Sequence, residues 1–254
     1  MSSHVSIVTG ASRGIGKAIA EILLKTPTSK VIVIARTQAP LKALEKQFGS
    51  DRVGIVTGDI TNPQTSKKAV ELAISKFGQL NSIIANAGVL EPVGSIDSIT
   101  VEEWKRLFDI NLFSIVELIK QSLTHLKKTN GRVLAVSSGA STKPYSGWYA
   151  YGSSKAALNH LIMSLAAEEK DIQAISIAPG VVNTEMQVDI REKFGKGMSA
   201  EGLQRFIDLH EKKQLAAPEE PGTVYANLAL KGWPQELNGK YLRYNDEVLK
   251  SYQE

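Results

Sequence analysis

The chain has 254 residues, of which 43% are hydrophobic and 22% charged, which excludes a disordered tail protein or a coiled coil. It contains no cysteine, which excludes disulfides, thiolate metal sites and cysteine nucleophiles, and no metal site is predicted. The net charge of +4 comes from scattered basic residues, whereas a nucleic-acid-binding protein is expected to carry a basic stripe.

No run of the sequence approaches the roughly 20 apolar residues that a membrane helix needs. Residues 1–4 lead directly into a strand-like run, without the pattern of a signal or transit peptide. We therefore expect a cytoplasmic protein with neither a membrane nor a nucleic acid as partner.

Short apolar runs alternate along the chain with stretches of helical periodicity. Strands are predicted at residues 5–9, 31–35, 52–57, 81–85, 132–137, 172–177 and 239–243. Helices are predicted at residues 14–25, 41–48, 64–77, 101–126 and 149–169, with Thr100 and Glu103 as a capping box before the fourth. The alternation indicates an α/β protein with one Rossmann-like, doubly wound domain over residues 1–254. Its seven-stranded, mostly parallel sheet is flanked by helices on both faces.

The segment at residues 184–221 is the least regular and is rich in Gly, Lys and Glu. It follows the carboxyl end of the sixth predicted strand, and doubly wound sheets bind ligands beyond such ends. We expect it to be a substrate lid, with a surface excursion of no role as the alternative.

Three glycines follow the first strand in the order G-x-x-x-G-x-G and precede the first helix. Such a turn lets the backbone approach a pyrophosphate, which the helix N-terminus attracts through its free N–H groups and its dipole. The residues of this candidate dinucleotide site are Gly10, Ser12, Arg13, Gly14, Ile15 and Gly16.

The end of the second strand indicates which nicotinamide cofactor is bound. An Asp or Glu is expected there in NAD-binding chains, to accept a hydrogen bond from the ribose 2′-hydroxyl. This chain has Arg36 and Thr37 instead, with Arg13 as a second cation. Guanidinium groups suit a 2′-phosphate, so the pattern favours NADPH over NADH. The alternative is that one or both arginines point only to water.

Tyr151 and Lys155 stand four residues apart and so share a helix face. A cation beside a tyrosine favours the phenolate, so we expect Lys155 to lower the pKa of Tyr151 and suit it for proton transfer to a carbonyl oxygen. Ser138 follows the fifth strand, where its hydroxyl can hold a substrate carbonyl. Asn111 lies within the fourth predicted helix and is either functional or a hydrogen-bonded packing residue.

Taken together with Asp59, Asn86-Ala87-Gly88 and Pro179-Gly180, these motifs resemble the short-chain dehydrogenase/reductase family in residue type and order. Residues 87–92 (AGVLEP) and 241–246 (YLRYND) resemble the fungal carbonyl reductases of the benzil reductase, (S)-benzoin-forming, type, which are similar in turn to sepiapterin reductase.

The resemblance implies a role for each of the four catalytic candidates. Tyr151 is the general acid in reduction, and Lys155 binds the nicotinamide ribose and depresses the tyrosine pKa. Ser138 orients the carbonyl, and Asn111 holds a water that links Lys155 to solvent. The family also implies a homodimer or homotetramer formed through the two long helices.

The resemblance also extends the cofactor site beyond the glycine turn. Asp59 and Ile60 meet the adenine, and Asn86, Ala87 and Gly88 stabilise the sheet and border the adenosine ribose. The residues implied to receive the nicotinamide carboxamide and the phosphates are Pro179, Gly180, Val182 and Thr184.

The sequence says less about the substrate. Tyr145 and Trp148 are candidates for an aromatic wall, and Met186, Phe194 and Met198 lie in the predicted lid, with ordinary packing as the alternative. No cation is identified that would bind a substrate carboxylate. We predict NADPH-dependent reduction of aromatic ketones or α-diketones. The alternatives are an NADP-linked alcohol dehydrogenase, a pteridine reductase or a non-catalytic NADPH-sensing regulator.

Overall fold

A computed structural model describes residues 3–254. Met1 and Ser2, which belong to the N-terminal segment in which no targeting pattern was found, lie outside the described residues. In this range seven strands form one sheet in the order β3-β2-β1-β4-β5-β6-β7. The strands are β1 His4–Thr9, β2 Ser29–Ala35, β3 Val53–Thr57, β4 Ser82–Ala85, β5 Arg132–Val136, β6 Gln173–Ala178 and β7 Tyr241–Arg243. Every neighbouring pair is parallel, so the predicted fold is confirmed.

The strands are apolar because the sheet is covered on both faces. In β2, Val31 and Val33 point into one hydrophobic core and Ile32 and Ile34 into the other, and all four are at most 1% exposed. The predicted strands match the observed ones to within two residues at each end.

Nine α-helices fall within the described residues, and none of them is long and apolar enough to cross a membrane. They are α1 Gly14–Lys25, α2 Gln38–Phe48, α3 Pro63–Phe77, α4 Val101–Phe108, α5 Ser114–Lys127, α6 Tyr149–Glu168, α7 Glu185–Asp189, α8 Ala200–Glu211 and α9 Glu219–Lys231. α1, α2 and α9 cover one face of the sheet, and α3, α5 and α6 cover the other.

The prediction of one continuous α-helix over residues 101–126 was wrong in one respect. α4 begins at the expected capping box, but a π-helical turn, Asp109–Phe113, separates it from α5. Apolar periodicity cannot reveal this change, because the π-turn alters the backbone hydrogen bonds and leaves the helical character intact. The turn contains the buried Asn111, which it aims at the backbone of Val89.

The segment at 184–221 is more regular than its composition suggests. It contains α7, a π-turn Ile190–Phe194, a short 3₁₀ turn Gly195–Gly197 and α8. Its last residues belong to α9, which packs against α1 in the core, so only residues 184–215 form an excursion. The flanking residues Val182 and Ala216 pair as an isolated parallel bridge.

Candidate active site

A cleft of about 280 Å³ opens at the carboxyl ends of the central strands, where the strand order reverses between β1 and β4. Most of the predicted cofactor residues line it. They are Gly10, Ser12, Arg13, Gly14, Ile15, Arg36, Asp59, Ile60, Asn86, Ala87, Gly88, Tyr151, Lys155, Pro179 and Thr184. Gly180 and Val182 line a neighbouring pocket, whereas Gly16 and Thr37 line neither.

The glycine turn lies against the loop after β4 with no room for side chains. Gly10 has a φ of +67°, and a Cβ on it would stand 2.8 Å from Asn86 Nδ2 and 3.1 Å from the Ala87 Cα. A Cβ on Gly16 would meet Asn86 and the carbonyl of Gly10. Gly16 is buried, and its missing side chain lets the start of α1 pack closely against the glycine turn and Asn86.

Asn86 and Thr9 tie the two central strands together below this turn. The Asn86 side-chain amide donates to the Thr9 carbonyl (2.9 Å), and the Thr9 hydroxyl accepts from the Asn86 and Ala87 backbone N–H groups at 3.0 and 2.9 Å. The open N-terminus of α1 begins directly above, where its N-cap residue, Arg13, makes no side-chain capping bond. Uncapped helix N–H groups beside a glycine cradle fit a dinucleotide pyrophosphate.

The far end of the cleft holds Arg13 and Arg36, and no carboxylate follows β2. Asp59, at the end of β3, is held by its own loop, since it accepts from the Thr61 N–H and hydroxyl at 2.9 and 2.8 Å. These bonds lower the pKa of Asp59, and Arg36 adds a smaller effect in the same direction. Thr37 is the N-cap residue of α2, and its side chain makes no capping hydrogen bond.

Tyr151 and Lys155 lie on the buried face of α6, and both line the cleft. Lys155 Nζ donates to the Val136 carbonyl at 2.8 Å and lies 5.9 Å from the Tyr151 ring centroid. Gly88 stands beside them, and a Cβ there would be 3.5 Å from Lys155 Nζ. The geometry joins a phenol and an ammonium group at one wall of the site.

Burial dominates the electrostatics of this pair. It raises the pKa of Tyr151 above its ordinary value, and the Ser138 hydroxyl only partly offsets this. It lowers the pKa of Lys155 to about 8. The expected lowering of the Tyr151 pKa by Lys155 is therefore not found in this structure, because desolvation of the phenolate is the largest effect on that pKa.

Asn111 and Ser138 are both fixed by backbone contacts. Asn111 accepts from the Val89 N–H and donates to the Val89 carbonyl (2.9 Å each), and it also donates to Ser154 Oγ at 3.2 Å. Its amide oxygen keeps one further acceptor position on the side of Gly88. Ser138 Oγ accepts from the Ala140 N–H at 3.1 Å, which holds its hydroxyl at the end of β5.

A second pocket of about 120 Å³ adjoins the cleft, and Tyr151 lines both. Three stacked rings form its wall: Trp148 lies 4.9 Å from Tyr145 and 5.4 Å from Phe206, between ring centroids. Trp148 also meets Tyr151 edge-on at 5.6 Å. We call this wall the aromatic stack and the space beside it the aromatic pocket.

The predicted substrate residues divide into two groups. Tyr145, Trp148 and Met186 line the aromatic pocket. Phe194 and Met198 do not line it, and they pack behind it against the buried cluster that contains Trp148. Sequence position alone placed them in the lid but could not show which way they face.

Among the pocket residues that the sequence analysis missed are Arg205 and Phe206 from α8, and Arg243 at the carboxyl end of β7. The structure thus places two cations at this pocket that the sequence analysis did not identify. Arg243 could have been predicted to lie at the site, because it ends the last predicted strand and ligands bind beyond the carboxyl ends of parallel strands. Among residues 3–254 no cluster of three or more His, Asp or Glu side chains suited to a metal ion is found.

Comparison with known proteins agrees with this geometry. The model of the short chain dehydrogenase family matches residues 4–195. The chain belongs to the short-chain dehydrogenase/reductase family. It is therefore an oxidoreductase of a family that uses a nicotinamide cofactor, and the cleft and uncapped α1 are the parts that fit such a dinucleotide.

Two proteins from Saccharomyces cerevisiae are similar to this chain over nearly their whole length. The uncharacterised oxidoreductase YIR035C is 51% identical, with 98% of each chain covered. Benzil reductase ((S)-benzoin forming) IRC24 is 46% identical, with 96% of this chain and 97% of the relative covered. The crystal structure of YIR035C matches with a TM-score of 0.97, covering 99% of this chain and all of that one.

Proposed function

We propose that this enzyme is an NADPH-dependent carbonyl reductase that converts aromatic ketones or α-diketones of the benzil kind into hydroxy compounds. The observation that carries the proposal is the position of Tyr151, whose phenol lies where the cleft meets the aromatic pocket. A proton donor at this junction touches both cofactor and substrate. The similarity to a benzil reductase supports diketones as the substrate class.

When held by the residues that line the cleft, a dihydronicotinamide would supply the hydride for the carbonyl carbon. Tyr151 donates its proton to the carbonyl oxygen, so the C=O double bond becomes a C–H and an O–H bond, and a proton from solvent restores the phenol. Ser138 donates a hydrogen bond to the carbonyl and orients it. Lys155 holds the ribose hydroxyls, and its charge stabilises the phenolate. The spare acceptor of Asn111 holds a water that connects Lys155 with solvent.

The preference for NADPH rests on charge. Arg13 and Arg36 line the cleft, and Asp59, which also lines it, accepts hydrogen bonds from the Thr61 N–H and hydroxyl. Two guanidinium groups favour a dianionic 2′-phosphate over a neutral hydroxyl.

Residues 184–215 act as the substrate lid in this proposal. α7 supplies Met186 to both the cleft and the aromatic pocket, and α8 supplies Phe206 to the aromatic stack. The segment also reaches the loop before α6, where the Ser199 N–H donates to Ser146 Oγ at 2.9 Å. The lid thus shields the hydride path from water.

We further propose a cytoplasmic homodimer or homotetramer assembled through the α4–α5 and α6 helices. Large apolar side chains remain exposed there and would be buried by a second copy. They are Val101 (64%), Phe113 (55%), Tyr149 (49%) and Met163 (49%).

An absorbance assay of nicotinamide oxidation tests the proposal with purified protein, NADPH or NADH, and benzil or sepiapterin. We expect turnover of benzil with NADPH and much slower turnover with NADH. Preferential reduction of sepiapterin would point to a pteridine reductase. Tight NADPH binding without turnover of any ketone or aldehyde in a broad panel would point to a non-catalytic protein that senses NADPH.

The pKa of Lys155 predicts how reduction depends on pH. Tyr151 stays protonated throughout the neutral range because its pKa is raised, whereas burial lowers the pKa of Lys155 to about 8. Lys155 therefore loses its charge first as pH rises, and kcat/KM for NADPH falls above about pH 8, because this parameter reports groups of the free enzyme. Lys155→Arg should move the fall to higher pH, since arginine stays charged. A flat profile between about pH 7 and pH 10 would contradict this assignment.

A further inference from the structure

Two arginines from distant parts of the chain line the aromatic pocket. The Arg205 guanidinium carbon lies 5.5 Å from the centroid of the Tyr145 ring and 6.0 Å from that of Phe206. Arg243 Nη1 lies 3.8 Å from the place where a Cβ on Gly139 would stand, directly after Ser138. Both cations are thus at the pocket while no acidic side chain lines it.

Neither guanidinium has a polar partner in the described part of the fold, although Arg205 packs over the Tyr145 and Phe206 rings. Within residues 3–254, neither forms an ion pair or donates a hydrogen bond to a protein acceptor, and Asp246 instead accepts from the backbone N–H of Arg243 at 2.8 Å. The structural arginines behave differently. Arg52 donates to backbone carbonyls between 2.5 and 3.1 Å, and Arg132 donates to one at 2.8 Å.

We propose that the substrate class of this enzyme is aromatic carbonyl compounds that carry a carboxylate, which Arg205 and Arg243 attract to the outer part of the aromatic pocket. The inference rests on the proposed carbonyl reductase activity and narrows its substrate. Guanidinium groups form charge-assisted, often bidentate hydrogen bonds with carboxylates. A neutral diketone such as benzil fills the apolar part of the pocket and leaves both cations without a partner.

Arg205 lies at the end of the aromatic stack that leads away from Tyr151. The Trp148 ring meets Tyr151 edge-on and stacks on Tyr145, and the Arg205 guanidinium lies over the Tyr145 and Phe206 rings. The test therefore uses an acid group that a ring separates from the reacting carbonyl.

The test compares benzil-4-carboxylic acid with its methyl ester in the NADPH oxidation assay, using the full chain and low salt. We expect the acid to have the higher kcat/KM, mainly through a lower KM, and to lose this advantage as ionic strength rises. Arg205→Met and Arg243→Met keep an unbranched apolar stem in place of each arginine and remove its charge. We expect the acid-to-ester ratio of kcat/KM to fall about tenfold in at least one of them.

Lys67→Met is the matched control, because it removes one exposed positive charge from α3 at a position that lines neither cavity. We expect it to leave the acid-to-ester ratio unchanged. An acid-to-ester ratio that stays within about twofold of wild type in both arginine variants would overturn the inference, since a bound carboxylate should contribute more than that. Benzil distinguishes failure of the carboxylate site from failure of the proposed reductase activity. Turnover of benzil without a preference for the acid would contradict only the carboxylate site. No turnover of any substrate would contradict the reductase activity as well.

Discussion

Tyr151→Phe should lower kcat for benzil reduction by about a thousandfold, the size of effect expected when a general acid is removed. The substitution deletes only the hydroxyl, so the edge-on contact with Trp148 and the packing of α6 are retained. Thermal unfolding should therefore stay near the wild-type temperature, and NADPH binding, followed by fluorescence, should change far less than turnover.

Tyr149→Phe is the control, because Tyr149 lies two residues earlier in the same helix and is 49% exposed. It should retain wild-type turnover. Normal reduction of every ketone by Tyr151→Phe would remove the tyrosine from the chemistry and, with it, the observation that carries the proposed function.

Arg36→Asp should lower the ratio of kcat/KM for NADPH to that for NADH by about a hundredfold, the combined effect of a lost charge-assisted contact and a new repulsion. The substitution removes a guanidinium from the cleft and places a carboxylate one residue beyond β2. A carboxylate there repels the 2′-phosphate and accepts a hydrogen bond from a free 2′-hydroxyl.

Lys46→Asp makes the same change of charge on the exposed side of α2, outside the cleft. It should leave the ratio of kcat/KM for NADPH to that for NADH almost unchanged. This control distinguishes a direct contact of residue 36 with the cofactor from a general effect of the protein's net charge. A ratio that Arg36→Asp shifts no further than Lys46→Asp does would mean that Arg36 points to water.

The sheet and the dinucleotide cleft were predictable because they depend on local pattern. A buried parallel strand must be apolar on both faces, as in the Val31–Ile34 run, and this leaves a clear trace in the sequence. The glycines of the turn are equally visible, because Gly10 adopts a positive φ and Gly16 has no room for a side chain. The cleft then follows from the place where the strand order reverses.

α9 escaped prediction because its sequence contains Pro221-Gly222, a pair typical of turns. Pro221 lies in the first turn of the helix, where a backbone N–H has no partner to lose. Gly222 faces α1, and a Cβ there would stand 3.2 Å from Ala18 Cβ. The pair thus serves a helix start and a close helix–helix contact, which only the tertiary structure reveals.

The aromatic pocket was the least predictable part of the site. Arg205 and Arg243 come from α8 and β7, far apart in sequence, and meet only because the excursion folds back over the carboxyl edge of the sheet. Their surroundings give no local signal, since a single exposed arginine on a helix or at a strand end is common.

The bridge between Val182 and Ala216 joins the two ends of the excursion at residues 184–215. The Ala216 N–H donates to the Val181 carbonyl at 3.0 Å and the Asn183 N–H to the Ala216 carbonyl at 2.9 Å, so the chain leaves and re-enters the core at adjacent points. Insertions, deletions or wholesale exchange of residues 184–215 then impose little strain on the strands, because the stem is already closed. In the proposed function, the part of the fold that holds the cofactor can thus stay unchanged while residues 184–215, which contribute Met186, Arg205 and Phe206 to the aromatic pocket, change with the substrate.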